Sequence, residues 1–301
     1  MPRFRPTLLK LAGAAALVAV GVAVPVASAF PGKNGKIVFA SNRTGNTELF
    51  VMRGDGSHQR RLTSGPSSST DPAYSADGRK IVFTSDRTGA DEIFAMRADG
   101  SHQRRLTHTP AGGQSFTPGY SPNGRKVVFV SDQTGQDQIF IMRANGSHVR
   151  QLTHNSDDDV PSFSPGGHKI LFASHRTGDE EIFAMRKDGS HQRNLTRSSA
   201  DDFNPSFSPN GRKVVFATDG TGSIQISTMK SNGSHVRRLT HGAAFKNGPV
   251  YSPDGRKIAF RTDQGPTNGE IFVMKADGSH AHDISHNSAI DSEPNWGVRA
   301  P

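Results

Sequence analysis

The sequence predicts an all-β fold, a six-bladed β-propeller of four-stranded antiparallel blades. Three observations predict it. A pattern of about 44 residues recurs six times, each recurrence carries four short strand signals divided by turns, and the C-terminus supplies the one strand that the first recurrence lacks.

The N-terminal segment stands outside the repeat. Arg3, Arg5 and Lys10 make a basic start, Leu11 to Val24 is apolar and uncharged, and Ala27-Ser28-Ala29 is a small-residue cleavage site. This is the pattern of a secretory signal peptide over 1–29, leaving 30–301 as one propeller domain. Pro25 and the short apolar run argue against a retained anchor, since a span needs about 20 apolar residues. No later stretch could span a bilayer. With no cysteine in 301 residues, an exported chain holds this fold without disulfides.

Within each repeat, strand a is a Pro-x-aromatic piece, such as Pro72-Ala73-Tyr74. A Ser-Pro-Asn/Asp-Gly turn follows, as at Ser121–Gly124 and Ser252–Gly255, where proline presets φ and glycine takes the positive φ. Strand b is rich in β-formers, as in Lys80-Ile81-Val82-Phe83. Strand c is Glu-Ile-Phe-x-Met, and an Asp-Gly or Asn-Gly hairpin leads into strand d. The strand-b phenylalanines Phe39, Phe83, Phe129, Phe172, Phe216 and Phe260 lie 44, 46, 43, 44 and 44 residues apart. Every methionine after Met1 falls in one column, Met52, Met96, Met142, Met185, Met229 and Met274. The first unit begins at strand b, Lys36-Ile37-Val38-Phe39, whereas the C-terminus ends on a strand a containing Trp296. That last strand is expected to complete the first blade, leaving no unpaired edge.

The string Ser85-Asp86-Arg87-Thr88-Gly89, Glu92-Ile93-Phe94-Ala95-Met96, Asp99-Gly100-Ser101 and Arg104-Arg105-Leu106-Thr107 resembles the WD40-like repeat of the TolB-type propellers. The resemblance covers essentially all of 30–301 and implies a six-bladed ring. In that family the propeller of periplasmic TolB binds a peptidoglycan-associated lipoprotein, and related blades precede the catalytic domain of prolyl-oligopeptidase-type peptidases. This sequence departs from both. It lacks the α/β domain that precedes the TolB propeller and the Gly-x-Ser-x-Gly elbow of the peptidases.

Function is sought where the repeat breaks. The a–b and c–d turns share one end of the ring, and their lengths are constant. The b–c turns and d–a connections share the other end, and all length variation lies there. Variable loops on a rigid scaffold are where binding is usually found. The irregular residues of that end are Phe116, Asp157, Asp158, Asp159, His175, Phe203, Phe245, Lys246 and Pro266-Thr267-Asn268. His108, His154, His241 and His286 follow strand d and are candidates for the channel mouth. Related propellers include metal-assisted lyases that use channel histidines, which makes a metal-dependent lyase or hydrolase the enzymatic alternative. The run Asp157–Asp159 is a weak calcium candidate beside a full calcium loop. Lys and Arg concentrate at the constant end, giving a second alternative in which that end docks on an anionic envelope polymer.

Net charge falls from +9 to +6 on loss of the leader, which suggests acidic partners, while export disfavours nucleic acid. The expectation is therefore a monomeric, non-enzymatic scaffold without cofactor. It would act in the periplasm, cell envelope or extracellular space and bind a protein or a glycan.

Overall fold

The computed structural model describes residues 29–154, 157–220, 222–263 and 269–300. The expected leader before Ala29 and Pro266-Thr267-Asn268 lie outside the described residues. Six four-stranded antiparallel sheets form six blades, and no described residue is helical. Blade 2 is typical, with strands Ser69–Tyr74, Lys80–Ser85, Glu92–Arg97 and Arg104–Arg105.

Strand a lies at one edge of every sheet and strand d at the other. Strand a of each blade touches strand a of both neighbouring blades, so the six innermost strands close a ring around a central axis. They are Ser69–Tyr74, Ser115–Tyr120, Asp158–Phe163, Asp202–Phe207, Lys246–Tyr251 and Asp291–Val298.

Six apolar clusters hold the ring, one between each pair of adjacent blades. The strand-b phenylalanines and the methionine column are all buried within them. Each such phenylalanine contributes about 1.5–3 kcal/mol of apolar burial.

The C-terminal strand closes the ring as expected. It pairs antiparallel with Asn34–Ser41 of blade 1, with Trp296 opposite Ile37. The indole of Trp296 donates to the Gly35 carbonyl at 3.3 Å. A Cβ on Gly54 would stand 2.7 Å from the indole, so the largest aromatic of the strand-a column needs a glycine beneath it.

The signature residues explain themselves as structure. In blade 2 the Asp86 carboxylate accepts the Ser68 N–H at 2.8 Å, tying the b–c turn to the d–a connection. The Arg87 guanidinium lies 4.7 Å over the Phe94 ring, which stacks on Phe83. Glu92 is buried and accepts from the Thr107 hydroxyl and from Arg105 at 2.5 Å. The Thr107 hydroxyl in turn accepts the Ile93 N–H at 2.8 Å, locking strand d to strand c.

Candidate binding site at the channel mouth

Every innermost strand is bulged at one shared position, and the pairing of the closing strand has a second irregularity between Asn34 and Ile37. Pairing to strand b slips in register between Thr70 and Ala73, and at the equivalent place in each other blade. The residue before each strand-a proline takes positive φ: Asp71 (55°), Thr117 (50°), Val160 (50°), Asn204 (52°), Gly248 (59°) and Glu293 (55°). A left-handed backbone costs an L-residue about 1–2 kcal/mol, and Thr117 and Val160 are β-branched as well. Five copies of that strain are held by the surrounding ring, the sixth position being Gly248, and bulges of this kind are enriched at barrel rims and functional sites.

The bulge frees backbone N–H groups toward the axis, and side chains of the same ring accept them. The Asp71 N–H donates to Glu293 Oε2 at 2.6 Å, and the Thr117 N–H to Asp71 Oδ2 at 3.3 Å. The Thr117 hydroxyl donates to Asp159 Oδ1 at 3.4 Å, which also accepts the Val160 N–H at 2.5 Å. On the far side, Asn247 Oδ1 accepts from the Asn204 amide at 2.5 Å and from the Gly248 N–H at 2.6 Å. Asn247 shows that a neutral amide performs this capping. Carboxylates at 71, 159 and 293 therefore add charge that the bulge does not require.

These acids are surrounded by protein yet border an opening. Thr70, Phe116, Asp159, Ser292 and Glu293 are partly exposed on the innermost strands, whereas the Pro-x-aromatic halves of the same strands are mostly buried. Val160 is buried and packs in one cluster with Val250, two blades away, so its side chain crosses the axis. The partly exposed residues form the mouth at the variable end.

Burial pushes the Glu293 carboxyl up to about 8, with the Asp71 charge adding to it. Burial raises Asp159 to about 7 against the Val160 N–H, with Asp137 and Asp71 also pushing it up. Glu180 is raised to about 8 by burial and then by Asp159, Asp201, Asp202 and Asp219. Burial raises Asp91 to about 6, helped by Asp71, and raises Asp71 itself. Arg261 faces this group: burial lowers its pKa while Asp263 and then Glu293 oppose that, and its guanidinium lies 5.5 Å from the Phe245 ring centroid. The mouth is a ring of acceptors and carboxyls whose burial and mutual repulsion favour their neutral forms.

The residues singled out from sequence separate. Asp159 lines the mouth, with Phe116 half-buried beside it, and Asp157 is exposed above. Asp158 is buried and bidentate to Arg176 at 2.7 and 2.9 Å. The three consecutive aspartates thus point to three environments rather than to one calcium site. His175 is exposed, 3.9 Å from Glu180. Phe203 is buried with Ala217 and Ile224, against Phe245. Lys246 is buried too, donating to the His241 and Ala244 carbonyls at 3.3 and 3.0 Å. Phe203 and Lys246 therefore replace repeat positions inside the blade and present no free side chain to a partner.

His108, His154, His241 and His286 are not at the channel mouth. They follow strand d, the outermost strand, and stand exposed around the perimeter. His286 pairs with its neighbour Asp283 at 3.4 Å. Among the described residues no group of three His, Cys, Asp or Glu side chains is placed to hold a metal ion. Sequence reading passed over Asp137, Glu180 and Glu293. The signal was present in the residue before each strand-a proline and in the residue before each strand-c Glu or Gln, two columns that do not repeat.

Fold and site together define a closed six-bladed propeller with an irregular, acidic mouth at one end and a regular, basic rim at the other. The chain belongs to the TolB β-propeller family: the model of the TolB beta propeller domain matches residues 8–114, 109–201 and 159–265. Among solved structures, TolB from Acinetobacter baumannii is 20% identical, covering 90% of this chain and 68% of its own, with a TM-score of 0.76. A TolB-type protein from Agrobacterium tumefaciens is 21% identical over 89% of this chain and 92% of its own, with a TM-score of 0.69. A chain of the nidogen/laminin complex matches at 13% identity, 87% and 98% coverage and a TM-score of 0.71. These likenesses show the fold. No curated protein matches the chain.

Proposed function

We propose that this propeller is an exported, non-enzymatic scaffold that seats a protein or glycan partner on its channel mouth, in the cell envelope or extracellular space. The observation that carries this reading is the placement of non-repeating residues. Asp71, Asp91, Asp137, Asp159, Glu180 and Glu293 gather at the one end where loop lengths vary, and they exceed what capping the bulges requires. A mouth of carboxyls and amides suits a partner that offers hydrogen-bond donors or cationic groups, which basic protein side chains and sugar hydroxyls both supply.

The test is capture from the envelope and secreted fractions of the producing cells on immobilised propeller. An Asp159→Asn/Glu180→Gln/Glu293→Gln variant is expected to lose the captured partner while keeping its melting temperature or raising it. Retention of the same partner by that variant removes the mouth from the binding surface.

A further inference from the structure

The opposite end of the ring carries a second feature. The last residue of strand c lies directly across from the first residue of strand b in five blades, and both are cations. The pairs are Lys80↔Arg97, Lys126↔Arg143, Lys169↔Arg186, Lys213↔Lys230 and Lys257↔Lys275. Lys36 and Arg53 stand at the corresponding ends in blade 1, and all twelve are exposed. Like charges directly opposite on antiparallel strands destabilise the pair. Alternating signs would serve the fold better, yet the arrangement recurs in every blade.

Other cations of the chain have visible structural work. The strand-d arginines Arg60, Arg104, Arg150, Arg193 and Arg237 donate to carbonyls of the next blade's c–d hairpin. Arg43, Arg61, Arg105 and Arg176 form ion pairs with Asp291, Glu48, Glu92 and Asp158. None of the twelve strand-end cations forms an ion pair among the described residues. The aspartates of this end balance them only in part: Asp55, Asp99, Asp188 and Asp277 feel the charges of Arg53, Arg97, Arg186 and Lys275, but six turn carboxylates stand against twelve strand-end cations. Asp55, Asp99, Asp188 and Asp277 are held by the N–H groups of Ser57, Ser101, Ser190 and Ser279 in their own hairpins, and the remaining turn carboxylates are Asp77 and Asp254.

The turns of this end are also tied together. Backbone bonds from Ala98 to Arg79, Ala144 to Arg125, Lys187 to His168, Ser231 to Arg212 and Ala276 to Arg256 bind the c–d hairpin to the a–b turn beside it in blades 2 to 6. Blades 2 to 6 have a–b turns of equal length, and in blade 1 the two chain ends take the place of that turn, the Gly32 N–H donating to the Pro253 carbonyl at 3.2 Å and the Arg299 N–H to the Lys33 carbonyl at 2.8 Å. Of the three exposed large hydrophobics among the described residues, two, Val149 and Val236, follow the hairpins of this end. One depression there has Ile141, Met142 and Val149 beside Lys126, Arg143 and Arg150.

We propose that this end is a membrane-docking face for a bilayer rich in anionic headgroups. A planar anionic surface neutralises all six blades at once, which a single linear chain following one path does not. The exposed side chains of Val149 and Val236 beside these cations fit the headgroup–acyl boundary. This inference is independent of the partner assigned to the mouth. With this face on the bilayer, the mouth points away from it.

The test uses residues 30–301, which contain the entire ring, and sedimentation with phosphatidylglycerol/phosphatidylcholine vesicles. Binding is expected at about 50 mM salt, absent on pure phosphatidylcholine and largely lost at about 500 mM. The variant Arg97→Gln/Arg143→Gln/Arg186→Gln/Lys230→Gln/Lys275→Gln should bind at least about a hundredfold more weakly. Its melting temperature should be unchanged or higher, because five like-charge pairs are relieved. A lower melting temperature would make these cations structural and overturn the proposal. So would absence of binding at low salt, equal binding by the variant, or preference for soluble polyglutamate over vesicles at equal charge.

Discussion

Six histidines illustrate how a repeated residue acquires a structural explanation. His58, His102, His148, His191, His235 and His280 close the c–d hairpins with φ between 56° and 59°. Each of their rings meets the preceding serine hydroxyl through Nδ1, at 2.9 Å in His102. Histidine, asparagine and aspartate tolerate the left-handed region better than other side chains. His102→Asn is therefore expected to leave the urea midpoint unchanged, while His102→Val costs about 1–2 kcal/mol. Equal midpoints for the two variants would remove the backbone explanation. The column was legible in the sequence, but its cause was not, because φ is a property of the folded hairpin.

At the level of the element, the bulged inner strand is the source of the site. It presents the N–H groups of Asp71, Thr117, Val160 and Gly248 to side chains of the same ring, three of them to carboxylates. Burial raises Asp159, Glu180 and Glu293 to about 7, 8 and 8, against about 4 in an unfolded chain. Between those values the folded protein holds protons that the unfolded chain has released. Their contribution to stability therefore declines as pH rises through that window. The melting temperature should fall from about pH 5 to about pH 8.5, and Asp159→Asn/Glu180→Gln/Glu293→Gln should flatten the slope. An identical slope in the variant would show that these groups are ordinary surface acids in solution. The prolines and strand limits of this element were readable from spacing. The bulge was not, since the sequence before the proline is Asp, Thr, Val, Asn, Gly or Glu and announces no left-handed residue.

The whole molecule depends on a closure 250 residues apart in the chain. Strand Asp291–Val298 fills blade 1 and stands between blades 2 and 6, with Trp296 in the cluster that joins blade 6 to blade 1. Deleting residues from Ser292 onward exposes the edge of Asn34–Ser41 and opens two inter-blade cores. A fall in melting temperature of more than about 10 °C is expected, from the loss of several buried side chains. An unchanged melt by circular dichroism would refute closure by this strand.

Blade number, strand order, turn chemistry and the completing strand were determined by the sequence itself. They follow from local rules, alternation, turn glycines and a repeat that must bury one face against the next. Which columns meet was decided only by the tertiary structure. Ring closure puts strand a on the axis and strand d on the perimeter, so the histidines after strand d lie apart while Asp71, Asp159 and Glu293 converge. Proximity around an axis arises from the curvature of six packed sheets, and no spacing along a single chain encodes it.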